Sequence, residues 1–112
     1  MEDVVYSKLF SEFTCCIFLS YYDYKKYVNN EIIEDILAVD DGIYFYRYLR
    51  DIYNKDYYYI LVYNKRDLID IGFTEWNENN NSNVVLYKHY NIVLPMPLMV
   101  LTIEEMEKYK YG

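Results

Sequence analysis

The chain contains 112 residues, of which 54% are hydrophobic and 26% are charged, so we expect one packed domain over residues 1–112 and not a disordered segment. Its 18 acidic and 11 basic side chains give a formal net charge of -7 and a pI near 4.6. Because this sign repels phosphate backbones, nonspecific binding of nucleic acid is disfavoured and no direct nucleic-acid partner is expected.

No segment predicts a membrane span or a secretory signal. The longest apolar run, residues 14–20, is about a third of the roughly 20 residues that a transmembrane helix requires. Met1-Glu2-Asp3 is acidic where a secretory signal is basic. We therefore expect an intracellular protein with no membrane partner.

The two cysteines, Cys15 and Cys16, are adjacent, so they cannot close the long loop that a stabilising disulfide closes. Free, buried thiols are the favoured interpretation, and a redox or intermolecular disulfide role is the alternative. A structural zinc site needs four Cys or His ligands, whereas the chain has two Cys and one His. No metal and no other cofactor is predicted.

In the first half of the chain the pattern of apolar residues predicts three helices and one strand. Apolar residues that recur every three or four positions indicate helices, and an uninterrupted apolar run indicates a buried strand at the centre of a sheet. Asp23 can cap the second helix, and Asn29-Asn30 is the point where that helix could break in two. In chain order, these elements are a helix over 3–12, a strand over 14–20, a helix after Asp23 with an apolar stripe from Tyr24 to Leu37 and a stop signal at Gly42, and an amphipathic helix over about 43–54.

The second half of the chain is richer in strands. The run of tyrosine and aliphatic residues at 57–63 is the strongest strand signal, and Ile69, Ile71 and Phe73 alternate with polar residues as in a half-buried return strand. Thr102-Ile103-Glu104-Glu105 matches a capping box. In chain order, these elements are a strand over 57–63, a hairpin turn at 64–67, a strand over 68–76, an exposed polar loop at 78–83, a strand over 84–94 and a short helix over 103–110.

Strands joined by short turns and flanked by helices indicate an α+β fold. We expect an antiparallel or mixed sheet of about four strands with helices packed on one face. The arrangement could be a new or rare fold.

The sequence contains no catalytic motif. His89, the only histidine, has no nucleophile motif near it, so a structural strand histidine is favoured over a catalytic one. Three glycines, at 42, 72 and 112, cannot build a phosphate-binding loop. Acidic pairs such as Asp67 with Asp70 lack the spacing of a cation site, which makes a metal-dependent nuclease the less favoured alternative. Whether the protein is an enzyme is left open, with a non-enzymatic function favoured.

Tyrosine makes up 17 of the 112 residues, more than a core of this size can bury with every hydroxyl satisfied. If helices cover one face of the sheet, a tyrosine-rich face stays exposed, and such faces are typical of protein interfaces. We therefore predict homodimerisation through that face, and the alternative is that a second layer covers it. The predicted interface residues are Tyr57, Tyr59, Leu61, Tyr63 and Tyr87.

The bias toward Tyr, Ile, Asn, Lys and Asp, as in Tyr57-Tyr58-Tyr59-Ile60 and Asn79-Asn80-Asn81, resembles the small proteins encoded by filamentous viruses that infect hot-acid archaea. This resemblance is one of composition and implies a viral origin. It also implies the host cytoplasm as the location, with the virion as the alternative, and it assigns no functional residue.

Together these patterns predict a small, acidic, virus-type binding protein that forms a homodimer and acts through protein-protein contact. A basic host or viral protein is a second candidate partner, because a negative surface attracts basic proteins through interactions that salt weakens. A structural protein of the virion or of its assembly is the alternative function.

Overall fold

The computed structural model describes residues 13–40, 56–76 and 85–105. The helices predicted over 3–12 and 43–54, the loop predicted over 78–83 and most of the helix predicted over 103–110 lie outside these residues. The described elements are β1 (Thr14–Leu19), α1 (Tyr21–Val28), β2 (Ile33–Val39), β3 (Tyr59–Asn64), α2 (Lys65–Asp70), β4 (Thr74–Glu75), β5 (Leu86–Ile92), β6 (Met99–Thr102) and a helical turn at 103–105.

The six described strands form one antiparallel sheet in the order β4-β5-β2-β1-β3-β6. The predicted α+β class is confirmed, whereas the expected number of about four strands is too low. The two additional strands are β2, whose residues predict a helix, and β6, for which the sequence predicts no element.

β1 lies inside the sheet, as its apolar sequence predicts. It pairs along its whole length with β3, from Thr14↔Asn64 to Leu19↔Tyr59, and on its other edge with β2. All six of its residues are buried. A strand with one polar face would not suit this place, because both faces and both edges are covered.

The helix predicted after Asp23 ends at residue 28, so the predicted break at Asn29-Asn30 is confirmed and the continuation toward Gly42 is wrong. α1 is capped by Ser20, whose Oγ accepts the N–H of Asp23 at 3.2 Å, and Asn30 takes a positive φ of 56° after the helix ends. Ile33–Val39 then form β2, which pairs with β1 and β5. Ladder hydrogen bonds on both edges of β2 override the helical spacing of its apolar residues.

The hairpin predicted after β3 is also wrong. β3 pairs with β1 on one edge and with β6 on the other, so neither edge is open to a return strand. Lys65–Asp70 instead form α2, which buries Leu68, and the chain turns back at Gly72 with a φ of 111°. Thr74–Glu75 then pair with β5 at the far edge of the sheet.

Two predictions for the last part of the chain are confirmed. The strand predicted over 84–94 is β5, and the capping box starts a helical turn at residue 103. The N–H of Glu105 donates to Thr102 Oγ1 at 3.1 Å, and the N–H of Thr102 donates to Glu105 Oε1 at 3.0 Å. These reciprocal bonds satisfy donors that the start of a helix leaves unpaired.

Each face of the sheet carries a hydrophobic cluster. Cys16 and Phe18 belong to the cluster on the first face, whereas Cys15 and Ile17 belong to the cluster on the second face. α1 and α2 pack on the second face, and Ile103 of the final helical turn packs on the first. The expectation of helices on one face therefore holds for α1 and α2, but both faces of the sheet are buried.

Candidate interaction surface

The side chains predicted as an interface do not form one exposed face. Leu61 and Tyr63 are 0% and 2% exposed. The ring of Tyr59 stacks on Tyr24 of α1 with 3.7 Å between ring centroids, and Tyr87 is half-buried against the same cluster. This burial favours the alternative in which a second layer covers the face, and homodimerisation itself stays a prediction.

Tyr57 lies on the opposite face from the other four residues. Its ring packs edge-on against Phe18, with 6.2 Å between centroids, and belongs to the first cluster. The prediction that Tyr57 shares a face with Tyr59 is wrong, because β3, and with it the alternation of side chains, begins only at Tyr59. The preceding residue, Tyr58, joins the sheet through its N–H, which donates to the carbonyl of Leu19 at 3.0 Å.

The hydroxyl of Tyr63 is satisfied within the chain. It donates a hydrogen bond of 2.8 Å to the carbonyl oxygen of Pro95. Burial raises the pKa of this phenol well above its ordinary value of 10.0, and the nearby Tyr27 raises it further. A neutral hydroxyl with an internal acceptor is a core group with one polar anchor.

The adjacent cysteines are free and buried, at 1% exposed for Cys15 and 0% for Cys16. They point into different clusters because successive side chains of a strand face opposite ways. Burial raises the pKa of the Cys15 thiol to about 12, although the charge of Lys65 opposes this shift. Thiolate, the reactive form, is therefore scarce at neutral pH, which supports the predicted buried thiols over a redox role.

His89 makes structural contacts. Its Nδ1 lies 2.7 Å from the carbonyl oxygen of Tyr90, and its Nε2 lies 3.2 Å from that of Ile71. The ring also packs against Phe73, with 5.1 Å between centroids. These contacts hold the turn after α2 against β5, and they favour the structural interpretation of this histidine.

The acidic residues do not assemble into a cation site within the described ranges, where no three His, Cys, Asp or Glu side chains lie close enough to share a metal ion. Asp40 accepts the N–H of Val85 at 2.9 Å through Oδ1, and Asp35 lies 3.7 Å from Lys88 Nζ. Both carboxylates have partners that explain their positions.

A cavity of about 750 Å³ lies at the start of α2. Its lining combines two basic side chains, Lys65 and Arg66, with two acidic ones, Asp67 and Asp70, and with the apolar Phe13 and Ile69. Because the opposite charges of these described residues cancel, they favour no charged class of ligand.

A second concavity, of about 380 Å³, lies between α1 and β6. Several of its apolar side chains are unusually accessible: Val28 is 56% exposed, Met96 is 90% exposed and Val100 is 39% exposed. None of the described residues that line it is charged. Its lining residues, which define the α1–β6 groove, are Tyr24, Tyr27, Val28, Asn30, Leu94, Met96 and Val100.

β6 forms the edge of the described sheet beside this groove. The N–H of Ile103 donates to the carbonyl oxygen of Tyr58, just before β3, at 2.8 Å. The N–H of Thr102 instead points away from β3 and donates to the carboxylate of Glu105. Because backbone groups alternate along a strand, the N–H and C=O of Val100 point outward like the N–H of Thr102. They have no partner among the residues that the structure describes.

The edge begins at a bulge. Val62 is the register partner of Met99, yet its carbonyl accepts the N–H of Leu98 at 2.7 Å. Leu98, just before β6, and Met99, its first residue, therefore both face Val62 of β3, an arrangement common at sheet edges. Pro95 and Pro97 precede the bulge, so the edge that has no described neighbour is confined to the short segment after them.

The chain along this edge is uncharged up to residue 103, and the carboxylate of Glu105, bonded to the outward N–H of Thr102, lies at its end. Residues 90–103, here called the uncharged segment, contain no Asp, Glu, Lys, Arg or His and form the longest such run in the sequence. Val93, Met96, Leu98 and Val100 in this segment are each at least 39% exposed. An exposed apolar surface without charge is typical of a protein contact site.

Comparison with known proteins found no relative: no family model matches the chain, and no curated protein or solved structure matches it. Among the described helices, none is long and apolar enough to cross a bilayer.

Two signals in the sequence point to this surface. The prolines at 95 and 97 indicate an edge, because proline lacks the N–H that an inner strand donates. The uncharged segment is the second signal, and its meaning depends on the exposure of its side chains, which the sequence pattern does not give.

Proposed function

We propose that the chain is a binding protein that takes an extended, uncharged polypeptide segment along β6, beside the α1–β6 groove. The observation that carries this proposal is the outward N–H and C=O of Val100, which lie unpaired, within the described residues, next to an apolar groove. A segment added to such an edge gains main-chain hydrogen bonds, while its alternate side chains enter the groove.

The lining of the groove supports an uncharged occupant. A charged side chain placed there would lose water without gaining an opposite charge, which costs free energy. Apolar side chains would instead be removed from water together with Val28, Met96 and Val100, which are exposed in this chain.

The dimensions of the site support a short contact. β6 has four residues, and the groove volume of about 380 Å³ accommodates only a few side chains. Interfaces of this kind fall in the small class of protein contacts, so we expect dissociation constants on the order of micromolar.

This proposal retains the predicted mode of action, protein-protein contact, and moves it from the tyrosine face to the sheet edge. A basic partner would need a different surface, because none of the described residues that line the groove is acidic. The proposal of a viral origin is supported only by the amino-acid composition of the chain.

Methyl NMR tests the proposal. A capped peptide of alternating valine and threonine, titrated into the labelled protein, should shift the methyl signals of Val28, Met96 and Val100 and saturate. Val100→Glu should abolish binding because it places a charge beside the apolar groove. The matched control is Val93→Glu, which adds the same charge at a valine that is 44% exposed and outside the groove lining, and which should bind normally.

Shifts scattered over methyl groups remote from the groove would overturn the proposal. Equal binding by the Val100→Glu and Val93→Glu variants would also overturn it, since the location of the charge would then have no effect.

A further inference from the structure

We propose that the segment bound along β6 is β6 of a second copy, so that the chain forms a twofold dimer across this edge. This inference rests on the proposed function and names its partner. It joins two described sheets into one continuous antiparallel sheet.

The geometry of Val100 is self-complementary. A twofold dimer uses the same patch on both copies, so each donor must find an acceptor at the equivalent position. Val100 offers one outward N–H and one outward C=O, and an axis beside it pairs each N–H with the C=O of the other copy. This arrangement is the hydrogen-bonded pair of an antiparallel ladder, with two main-chain bonds.

Side chains near the axis would also be buried. Residues opposite each other in an antiparallel pair lie on the same face, and diagonal neighbours are within reach of long side chains. Val100, which is 39% exposed, would contact Val100 of the second copy across the axis. Removing these exposed apolar groups from water supplies the favourable free energy that two hydrogen bonds alone do not.

Charge also favours this place for self-association. Two copies with a net charge of -7 repel each other, so they approach best where the surface is uncharged. The uncharged segment is the longest such stretch of the chain, and it contains the edge strand. It also lacks the lysines that commonly block edge-to-edge pairing.

Pairing of β6 with itself gives a closed dimer. Pairing of β6 with β4, the other edge of the described sheet, would instead repeat without closing and build a filament. β4 has only two residues, and one of them, Glu75, is charged and exposed. The structure thus favours the dimer over the alternative of an assembly protein.

Sedimentation velocity over a range of protein concentrations tests the dimer. Wild type should change from monomer to dimer by about 1 mM at the latest, given the short contact. Val100→Pro removes the outward N–H without removing a bond to β3, because proline is tolerated at a strand edge when its nitrogen faces solvent. The Val100→Pro substitution should raise the dissociation constant at least about tenfold, which corresponds to a loss of about 1.4 kcal/mol of binding free energy.

Val100→Glu provides a second variant, which places two like charges at the axis and should abolish the dimer. Val93→Glu adds the same charge elsewhere in the uncharged segment and should leave the dissociation constant close to that of wild type. Thermal unfolding of each variant shows whether it is folded.

A wild-type chain that stays monomeric up to about 1 mM would overturn the dimer. If that monomer still bound the valine-threonine peptide, the edge would take a foreign segment and the proposed function would stand. If it bound neither, both proposals would fail. Equal weakening of the dimer by Val100→Glu and Val93→Glu would overturn the location at β6.

Discussion

At the scale of single residues, the position of a side chain in the strand decides its chemistry. Cys15 and Cys16 are neighbours in β1, yet each lies in a different hydrophobic cluster. Both are out of contact with water, so neither has the accessibility that a reactive thiol needs.

We predict that neither thiol reacts with a disulfide reagent in the folded protein at about pH 8, because burial raises the pKa of Cys15 to about 12 and leaves both sulfurs inaccessible. Denaturant should release both thiols together. The control is Met96→Cys, which places a thiol at a position that is 90% exposed and should react at once. Rapid reaction of Cys15 or Cys16 in the folded chain would contradict this prediction.

Tyr63 gives a prediction for alkaline pH. Because burial raises its pKa above 10.0, the folded chain keeps the phenol proton where the unfolded chain releases it. Stability that is fully present below about pH 10 is therefore lost as the pH rises further. Tyr63→Phe removes this proton, so the free energy of unfolding should fall less steeply with pH in that range.

At neutral pH the same variant should be less stable by about 1 kcal/mol, because the carbonyl of Pro95 loses its donor. Denaturant unfolding at neutral pH and above about pH 10 measures the two effects. Tyr58→Phe, at a tyrosine that is 52% exposed, should change neither value. An identical alkaline slope for wild type and Tyr63→Phe would contradict the assignment.

At the scale of elements, the turn between α2 and β4 depends on Gly72. Its φ of 111° is unfavourable for any residue with a Cβ, and a Cβ there would lie 3.0 Å from His89 Nε2. We predict that Gly72→Ala lowers the free energy of unfolding by about 1–3 kcal/mol. In a His89→Ala background the cost should be smaller but not zero, since the contact is removed and the backbone strain remains.

Urea unfolding of the wild type, the two single variants and the double variant measures this coupling. A Gly72→Ala variant as stable as the wild type would contradict the role of the glycine. A cost that is the same in both backgrounds would show that the contact with His89 does not matter.

The elements also show what the sequence determines locally. The strands at 14–20, 57–63 and 84–94 are predictable because their apolar runs are the right length and composition for buried strands. Ile33–Val39 and Lys65–Asp70 are predicted wrongly because their structures depend on which strand edges are free. That information comes from pairing between distant parts of the chain, which a local pattern does not contain.

The candidate site was less predictable than the fold. The tyrosines indicated an interface, but Leu61 and Tyr63 are covered by a second layer whose position depends on the order of the strands. The edge at β6 has only a weak local signal, since four residues after two prolines fall short of a recognisable strand pattern.

At the scale of the whole molecule, burial of both faces of the sheet directs association to its edges. The core clusters lie on both faces, and the hydroxyl of Tyr63 donates to the carbonyl of Pro95 within the chain. The β6 edge combines exposed apolar side chains with main-chain groups that have no partner among the described residues.

The net charge gives a prediction with a distinct sign. Two copies of charge -7 repel, and salt screens this repulsion, so the dimer should tighten between about 0.1 M and about 1 M salt. Sedimentation velocity at both concentrations measures the change. A complex with a basic partner would weaken instead, so a dimer that weakens with salt would contradict an uncharged contact.

Hydrogen exchange of the Val100 amide tests the central claim most directly, because that N–H is the proposed donor at the β6 edge. In dilute protein it should exchange quickly, and it should become protected in concentrated protein or with saturating valine-threonine peptide. The amide of Thr102, bonded to Glu105 within the chain, should be unaffected by either change. Fast exchange of Val100 under all three conditions would contradict binding along this edge.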